Sequence, residues 1–138
     1  MQIAVREQAA VPANSAEALA AVRSFEDFLK TLPQVRLTRE NLLHAGCYCR
    51  TLYVPAGIVL TGALMKLPTI LIVSGHVLMT VGNQVQDVEG YRVMACEAGR
   101  KTAFRTLADT VITCVFATNA ASYEEAVGQM TDDTLMEI

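Results

Sequence analysis

Residues 58–81 constrain the fold of this chain more than any other stretch. Their sequence is Ile-Val-Leu-Thr-Gly-Ala-Leu-Met-Lys-Leu-Pro-Thr-Ile-Leu-Ile-Val-Ser-Gly-His-Val-Leu-Met-Thr-Val. Apolar and β-branched residues occur in short runs that Gly62, Pro68 and Gly75 interrupt, a pattern typical of two or three strands separated by turns. No His, Asp, Glu or Cys occurs between Thr61 and Gly75. The stretch therefore predicts a strand-rich centre without metal ligands.

Length and charge exclude several functional classes. With 138 residues, the chain can bury the core of one domain without disulfides or a structural metal. Its net charge of -3 and its 11 scattered Lys and Arg residues disfavour binding to nucleic acid. The apolar runs are strand-sized, far shorter than the ~20 residues of a membrane-spanning helix, and the N-terminus lacks a signal-peptide pattern. We therefore expect a cytoplasmic protein that does not bind membranes.

The four cysteines give no metal pattern. Cys47 and Cys49 are separated by one residue, whereas zinc sites usually combine two Cys-x-x-Cys turns. Cys96 and Cys114 are isolated in the sequence. Partly buried free thiols are the favoured interpretation over a metal cluster or disulfides. The sequence predicts neither a metal nor another cofactor.

A flexible arm followed by one helix is predicted at the N-terminus. Residues 1–13 have no periodic pattern and are predicted to form a flexible arm. Asn14 is a candidate helix cap, with Glu17 as its capping-box partner, and a helix is predicted over residues 15–32. Its apolar stripe is expected to dock on the strands, although a partner-binding face is the alternative. The stripe consists of Leu19, Val22, Phe25, Leu29 and Leu32.

The remainder forms one mainly β domain, predicted over residues 14–138 with a barrel at about 35–118. Two-residue alternation and short β-branched runs predict eight strands, and turns are expected at Ser74-Gly75, Gly82-Asn83 and Glu89-Gly90. Ser122, with Glu125, predicts the start of a short helix at about 122–130, followed by the acidic residues Asp132, Asp133 and Glu137. The predicted strands are Val35 to Leu37, Cys47 to Val54, Ile58 to Leu64, Thr69 to Val73, His76 to Val81, Tyr91 to Cys96, Lys101 to Arg105 and Thr110 to Ala117.

An ordered set of segments resembles one protein group. From about Leu32 to Asp133, the chain is similar to small cupin-like proteins of bacteriophages and prophages. The segments that carry the resemblance are residues 46–64, 70–77, 89–91, 98–104, 113–120 and 123–126. The resemblance implies a cupin-type double-stranded β-helix, a jelly-roll barrel with a mouth at one end, which is often assembled as a homodimer.

The cupin metal motifs are not retained where they can be placed. In the family, two His and a Glu precede the glycine that looks like Gly75, and relatives carry a His near the positions of Met65 and Thr69. The second family motif, Pro-x-Gly-x-x-His, aligns with residues 97–102, which leaves Gly99 in place and Thr102 at the histidine position. A thioether and hydroxyls cannot replace imidazoles and a carboxylate around a divalent metal. The comparison with the family thus implies a barrel without a metal centre.

Several residues remain candidates for ligand binding at the lining or mouth of the barrel. Arg100 shares a strand face with Thr102 and Phe104 and could hold a carboxylate or phosphate. A surface salt bridge from Arg100 to Glu97 or to the tail carboxylates is the competing interpretation. A plugged core is the default for so small a barrel, and a pocket for an apolar ligand is the alternative. The full set of candidates is Arg50, Met65, Thr69, His76, Met79, Tyr91, Arg100, Thr102 and Phe104.

Two hypotheses follow for function. The first is a metal-free phage or prophage protein that binds a small apolar or anionic ligand, or a host protein, forms a homodimer and serves in host takeover or anti-defence. The second is a metal-independent epimerase, isomerase or lyase that uses His76 or His44 with a tyrosine as acid and base. Tyr48, Tyr53 and Tyr91 are the candidate phenols. A histidine, a tyrosine and an acid converging in an open pocket would favour the enzyme.

Overall fold

Seven strands and two helices make up the computed structural model, which describes residues 1–135. This confirms the mainly β class with an N-terminal and a short C-terminal helix. Glu137 and the end of the predicted domain lie outside the described residues. Within residues 1–135, neither helix has the length and apolarity to cross a bilayer. The elements are α1 (Ala16–Lys30), β1 (Thr38–His44), β2 (Cys47–Val54), β3 (Val59–Thr61), β4 (Thr69–Val81), β5 (Gln84–Cys96), β6 (Ala103–Thr106), β7 (Thr110–Ala117) and α2 (Tyr123–Met130).

The long strand β4 belongs to both halves of a curled antiparallel sheet. Its first half pairs with β7 from Ile70 to Ser74, and its second half pairs with β6 from Val77 to Met79. Along its other edge, β5 pairs with β4 over the full length. The strand order is β1-β2-β7-β4-β6-β3. Odd-numbered side chains of β4 point inward, and the core contains the buried residues Leu71, Val73, Val77 and Met79.

A glycine pair allows β4 and β5 to bend without breaking. Gly75 (φ 145) is opposite Gly90 (φ 85) in the hairpin. A Cβ atom on Gly75 would lie 2.7 Å from the carbonyl oxygen of Asp109, and closer still to the hydroxyl of Thr110, where β7 begins. The turns predicted at Ser74-Gly75 and Glu89-Gly90 are therefore wrong, because these glycines serve close packing and a bend rather than a reversal. Gly82-Asn83 does reverse the chain between β4 and β5.

The first strand is displaced from its predicted position. Instead of residues 35–37, β1 covers Thr38–His44 and forms a hairpin with β2 through Ala45 and Gly46, both of which have positive φ. Arg39 and Asn41 point inward, so the strand lacks the apolar inner face on which the prediction depended. Similarly, β3 has only three residues, although a strand was predicted from Ile58 to Leu64.

The N-cap of α1 is not the predicted residue, whereas the N-cap of α2 is the predicted one. Ser15 caps α1 by accepting a hydrogen bond from the Ala18 amide at 3.1 Å. Asn14, the predicted cap, instead binds the backbone of Lys101: its Oδ1 accepts from N at 3.1 Å and its Nδ2 donates to O at 2.9 Å. Ser122 caps α2 by accepting from the Glu125 amide at 3.1 Å, as predicted.

The predicted arm is attached at its C-terminal end. Val11 is buried and forms a parallel bridge to Cys96 at the edge of β5. Its amide donates to the Ala95 carbonyl at 2.7 Å, and its carbonyl accepts from the Glu97 amide at 2.8 Å. Residues 1–9 are exposed.

A buried lysine joins helix α1 to the rest of the fold, in addition to the two buried apolar residues of the helix. Of the helix residues, Ala18 and Val22 are buried, whereas Phe25 stays 38% exposed. Lys101 is only 1% exposed and forms ion pairs with Glu26 of the helix at 2.8 Å and with Asp133 at 3.2 Å. Its Nζ also donates to the Gly62 carbonyl at 2.8 Å. We call Lys101, Glu26 and Asp133 the lysine clamp.

The two carboxylates of the clamp have lowered pKa values. Partial burial raises the pKa of Glu26, but hydrogen bonds from Lys101 and Thr61 and the charges of Lys101 and Lys30 outweigh it and hold the pKa below its usual 4.5. For Asp133, burial again raises the pKa, while hydrogen bonds from the Leu64 amide, Lys101 and Arg23 bring it below its usual 3.8. Both carboxylates therefore stabilise the fold in their ionised form.

Replacing Gly75 with alanine should destabilise the protein by about 3 kcal/mol, since the new methyl group would meet the start of β7 and the backbone conformation disfavours a side chain. Chemical denaturation measures the change. Gly128→Ala in α2 is the control, because its methyl group would have no neighbour within 4 Å, and it should change stability by no more than about 1 kcal/mol. Equal stability of the two variants would contradict the role of Gly75 in the bend.

Acid should weaken the lysine clamp. Because the pKa values of Glu26 and Asp133 are lowered on folding, their stabilisation is complete above their usual values and is lost as the pH falls through the lowered ones. Urea midpoints measured from pH 7 to pH 3 should therefore decline below about pH 4.5. Glu26→Gln should flatten this decline. Glu7→Gln, in the exposed N-terminal residues, should retain the wild-type slope; identical slopes for both variants would contradict the clamp.

Candidate functional site

The inside of the curled sheet contains a cavity of about 1040 Å³. The predicted default of a plugged core is therefore wrong. The barrel stays open because β3 is short and the following residues, Gly62 and Ala63, have little or no side chain. Helix α1 and the segment around Asp133 border the cavity. Its walls are mostly apolar and include Leu37, Leu52, Leu60, Leu71, Phe104 and Ile112.

Arg100 is the unusual polar residue of this cavity. It is only 5% exposed and lines the wall. Its Nη1 donates to the Thr102 hydroxyl at 2.7 Å, and its Nη2 lies 3.5 Å from the Thr69 hydroxyl. The buried Nε has no hydrogen-bond partner. Arg100 is thus surrounded by neutral hydroxyl groups.

No carboxylate of residues 1–135 forms an ion pair with Arg100. The predicted surface salt bridge from Arg100 to Glu97 or to the tail carboxylates is therefore wrong, because Arg100 is buried and its contacts are with hydroxyl groups. The side chain of the next residue, Lys101, points to the other side of the chain, and it is this side chain that forms an ion pair with Asp133. A buried guanidinium without an anion is costly, and an unsatisfied N–H adds to the cost.

Two positions at which the resemblance implies metal ligands lie at this guanidinium, and a third is bonded to the Arg100 backbone. Thr69 and Thr102 contact the guanidinium directly, and the Met65 amide donates to the Arg100 carbonyl at 2.9 Å. A cation and hydroxyl groups do not fit a divalent metal. Over residues 1–135, no three His, Cys, Asp or Glu side chains lie close enough to share a metal ion.

A second arginine lies in the same cavity. Arg50 of β2 lines the wall, and its Nη1 donates to the Tyr48 hydroxyl at 3.2 Å, which in turn donates to Asn41 at 2.5 Å. The Cys114 thiol lies near both arginines: burial raises its pKa, while the charges of Arg100 and Arg50 and a hydrogen bond with Thr69 act in the opposite direction. Burial dominates, so the pKa of this thiol lies above its usual 9.0.

The predicted ligand-binding residues separate into two groups. Arg50, Met65, Arg100 and Phe104 line the cavity, and Thr69 and Thr102 support Arg100 from behind. The others do not line it. Met79 is fully buried in the core, whereas the alternation of β4 and β5 turns His76 and Tyr91 to the outside.

The positions of the two histidines do not favour the enzyme hypothesis. The His76 ring lies 2.7 Å from the Asp87 carboxylate on the outer surface, and His44 is exposed on the outer face of β1. Neither lines the cavity. The convergence of a histidine, a tyrosine and an acid that would favour the alternative enzyme hypothesis is not seen in the cavity, because His44 and His76 occupy outward positions of their strands.

Cys114 and Arg39 also line the cavity, although sequence reasoning did not single them out. Cys114 follows the inward alternation of β7, so strand parity alone could have indicated it. Arg39 lines the wall from β1, but no apolar alternation marks that strand in the sequence.

No known family profile matches the sequence, and no curated protein matches it. Solved structures do match. A cupin-2 domain from Rhodospirillum rubrum has a TM-score of 0.53 and 19% identity, and the match covers 67% of this chain and 66% of that one. The protein has a cupin fold. KdgF from Halomonas sp. (TM-score 0.52, 12% identity, 64% and 86% covered) and a cupin superfamily protein from Desulfitobacterium hafniense (0.51, 12%, 64% and 83%) share this fold. At these identities, the likeness concerns the fold alone.

Replacing Arg100 with methionine should leave stability unchanged or raise it by about 1–3 kcal/mol, since a buried charge without a counterion is removed and the volume is kept. Denaturant titration measures this change. Arg105→Met, at an exposed position of β6, is the control and should stay within about 0.5 kcal/mol of wild type. A loss of about 3–5 kcal/mol for Arg100→Met would instead indicate a structural ion pair.

Proposed function

We propose that this cupin-fold protein acts by binding, and that its ligand is a small molecule with an apolar body and one carboxylate group. The carboxylate binds to Arg100, and the apolar body occupies the cavity. The protein performs no metal-dependent reaction under this proposal. An origin in a phage or prophage, which the sequence resemblance implies, would make the ligand a molecule of the host cytoplasm.

The observation that carries the proposal is the buried, unpaired guanidinium. Proteins bury charges with a partner, and Arg100 has only the hydroxyls of Thr69 and Thr102. Its Nε has no partner, and its contact through Nη2 is long at 3.5 Å. The Nε and Nη2 groups form the edge on which arginine holds a carboxylate through two parallel hydrogen bonds. An anionic ligand supplies the missing partner.

The surroundings favour an apolar body on that carboxylate. Leucine, isoleucine and phenylalanine side chains form the walls, and a cavity of about 1040 Å³ is in the range of small-molecule sites. A multiply charged phosphate would need more donors than Arg100 offers.

Isothermal titration with decanoate, decanamide and inorganic phosphate tests the ligand class. We expect decanoate to bind, decanamide to bind at least 10-fold more weakly, and phosphate not to bind. Arg100→Met should weaken decanoate binding by about 10- to 100-fold, the value of a hydrogen bond to a charged group. Arg105→Met should bind as the wild type does. Equal affinity for decanoate and decanamide, or unchanged binding by Arg100→Met, would contradict the proposal.

A further inference from the structure

Strand β5 has an open edge. It pairs with β4 along one side over its full length, and no other strand of residues 1–135 lies along its other side. The register between β4 and β5 is uninterrupted, so every second residue of β5 directs its N–H and C=O groups toward the open side. A long open edge is a place at which another extended segment can add to a sheet.

One observed contact shows which groups of β5 face this edge. The Val11 amide donates to the Ala95 carbonyl at 2.7 Å, and the Val11 carbonyl accepts from the Glu97 amide at 2.8 Å. The bridge between Val11 and Cys96 is parallel. The open groups of β5 therefore belong to its odd-numbered residues, and the chain that precedes Val11 is directed back along the edge toward Gln84.

The residues before Val11 have the length and composition to follow this edge. We call residues 1–10 the N-terminal strap. Its apolar side chains Ile3 and Val5 are 75% and 84% exposed. No proline precedes Pro12, so the backbone amides of the strap can donate to a strand edge. Two parallel strands advance equally, by about 3.3 Å per residue, so the strap reaches the start of β5.

Continuing the Val11 bridge in register gives each strap residue a defined neighbour. On one face, Ala9, Glu7, Val5 and Ile3 would lie beside residues 94, 92, 90 and 88 of β5. On the other face, strap residues 8, 6 and 4 would lie beside residues 93, 91 and 89. The observed bridge thus fixes a complete set of side-chain neighbours.

Both charged side chains of the strap meet suitable partners in this register. Glu7 would lie beside Arg92, which forms no ion pair with another residue of the described chain, 1–135. Arg6 would lie beside Tyr91, which is 69% exposed, with Glu89 two residues further along that face. Opposite charges on neighbouring strands and a cation at an aromatic ring both favour pairing.

The apolar side chains of the strap also fit this register. Ile3 would lie beside Val88, which is buried in the core, and would extend the core to the strand edge. Val5 would lie beside Gly90, where an added Cβ atom meets nothing within 4 Å, so the valine side chain has space. Glycine in a strand often marks the close approach of another backbone.

We propose that the N-terminal strap adds to the open edge of β5 as a parallel strand of the same molecule, in the register that Val11 sets. In the structure, the pairing stops at Val11; the strap completes it and covers the odd-numbered backbone groups of β5. The edge is then protected from pairing with other chains. Attachment at Val11 holds the strap at a high effective concentration beside its own β5.

Hydrogen exchange of individual β5 amides, followed by NMR, tests this pairing. In the proposed register, the Tyr91 amide donates to the Val5 carbonyl, and the Val93 amide donates likewise to Glu7. Val5→Pro removes the donor to the Glu89 carbonyl and should lower the protection of both amides about 10-fold, the order expected for one lost backbone hydrogen bond. Val5→Ala, the matched control, keeps the donor and should stay within about 2-fold of wild type.

An exchange of charges tests the register itself. Glu7→Arg should lower the protection of the Tyr91 and Val93 amides about 3-fold, because two cations then lie side by side. Arg92→Glu in the same chain should restore it. An exposed ion pair of this kind contributes little to global stability, so local protection of the edge is the measurement that reports it.

Three results would overturn the proposal. The first is equal protection of Tyr91 and Val93 in wild type, Val5→Ala and Val5→Pro. The second is a double variant, Glu7→Arg with Arg92→Glu, that exchanges as fast as Glu7→Arg alone. The third is protection that rises with protein concentration from about 20 µM to about 500 µM, since straps exchanged between two copies depend on concentration and a strap bound to its own β5 does not.

Discussion

The close contact between β4 and the start of β7 determines most of this structure. Gly75 allows the β4 backbone to approach Asp109 and Thr110 at a distance that no side chain would permit. The strand can then pair with β7 in its first half and with β6 in its second half. This bend converts one sheet into a barrel wall with an inside and an outside. The open cavity on the inside is one consequence of this bend.

The adjacent cationic residues Lys101 and Arg100 have different surroundings in this fold. Lys101 is buried with two carboxylates and a carbonyl, so its charge is compensated and joins α1 to the C-terminal segment. Arg100 is buried against hydroxyl groups and keeps an unsatisfied donor. Strand-like alternation separates the two side chains, and only one side of the chain offers carboxylates. The fold thus compensates the charge of one buried cation with carboxylates and leaves the other against hydroxyl groups.

The wall of the cavity at Arg100 carries hydroxyl groups and a guanidinium, which are not the groups that hold a divalent metal. The side chains at the positions where the family pattern has metal ligands are those of Met65, Thr69 and Thr102, and two of them solvate a guanidinium. A positive charge in this place favours an anion and opposes a divalent metal.

The sequence by itself determined the class of the fold and the face that Arg100 shares with Thr102 and Phe104, because alternation and turn residues act locally. It also determined the capping of α2 by Ser122. Only the tertiary structure decided that Gly75 bends a continuous strand, that Lys101 rather than Arg100 takes the carboxylates, and that His76 and Tyr91 point outward. Strand β1 escaped prediction since two of its inward residues, Arg39 and Asn41, are polar and leave no apolar alternation in the sequence. These outcomes depend on contacts between residues far apart in the chain, about which local periodicity carries no information.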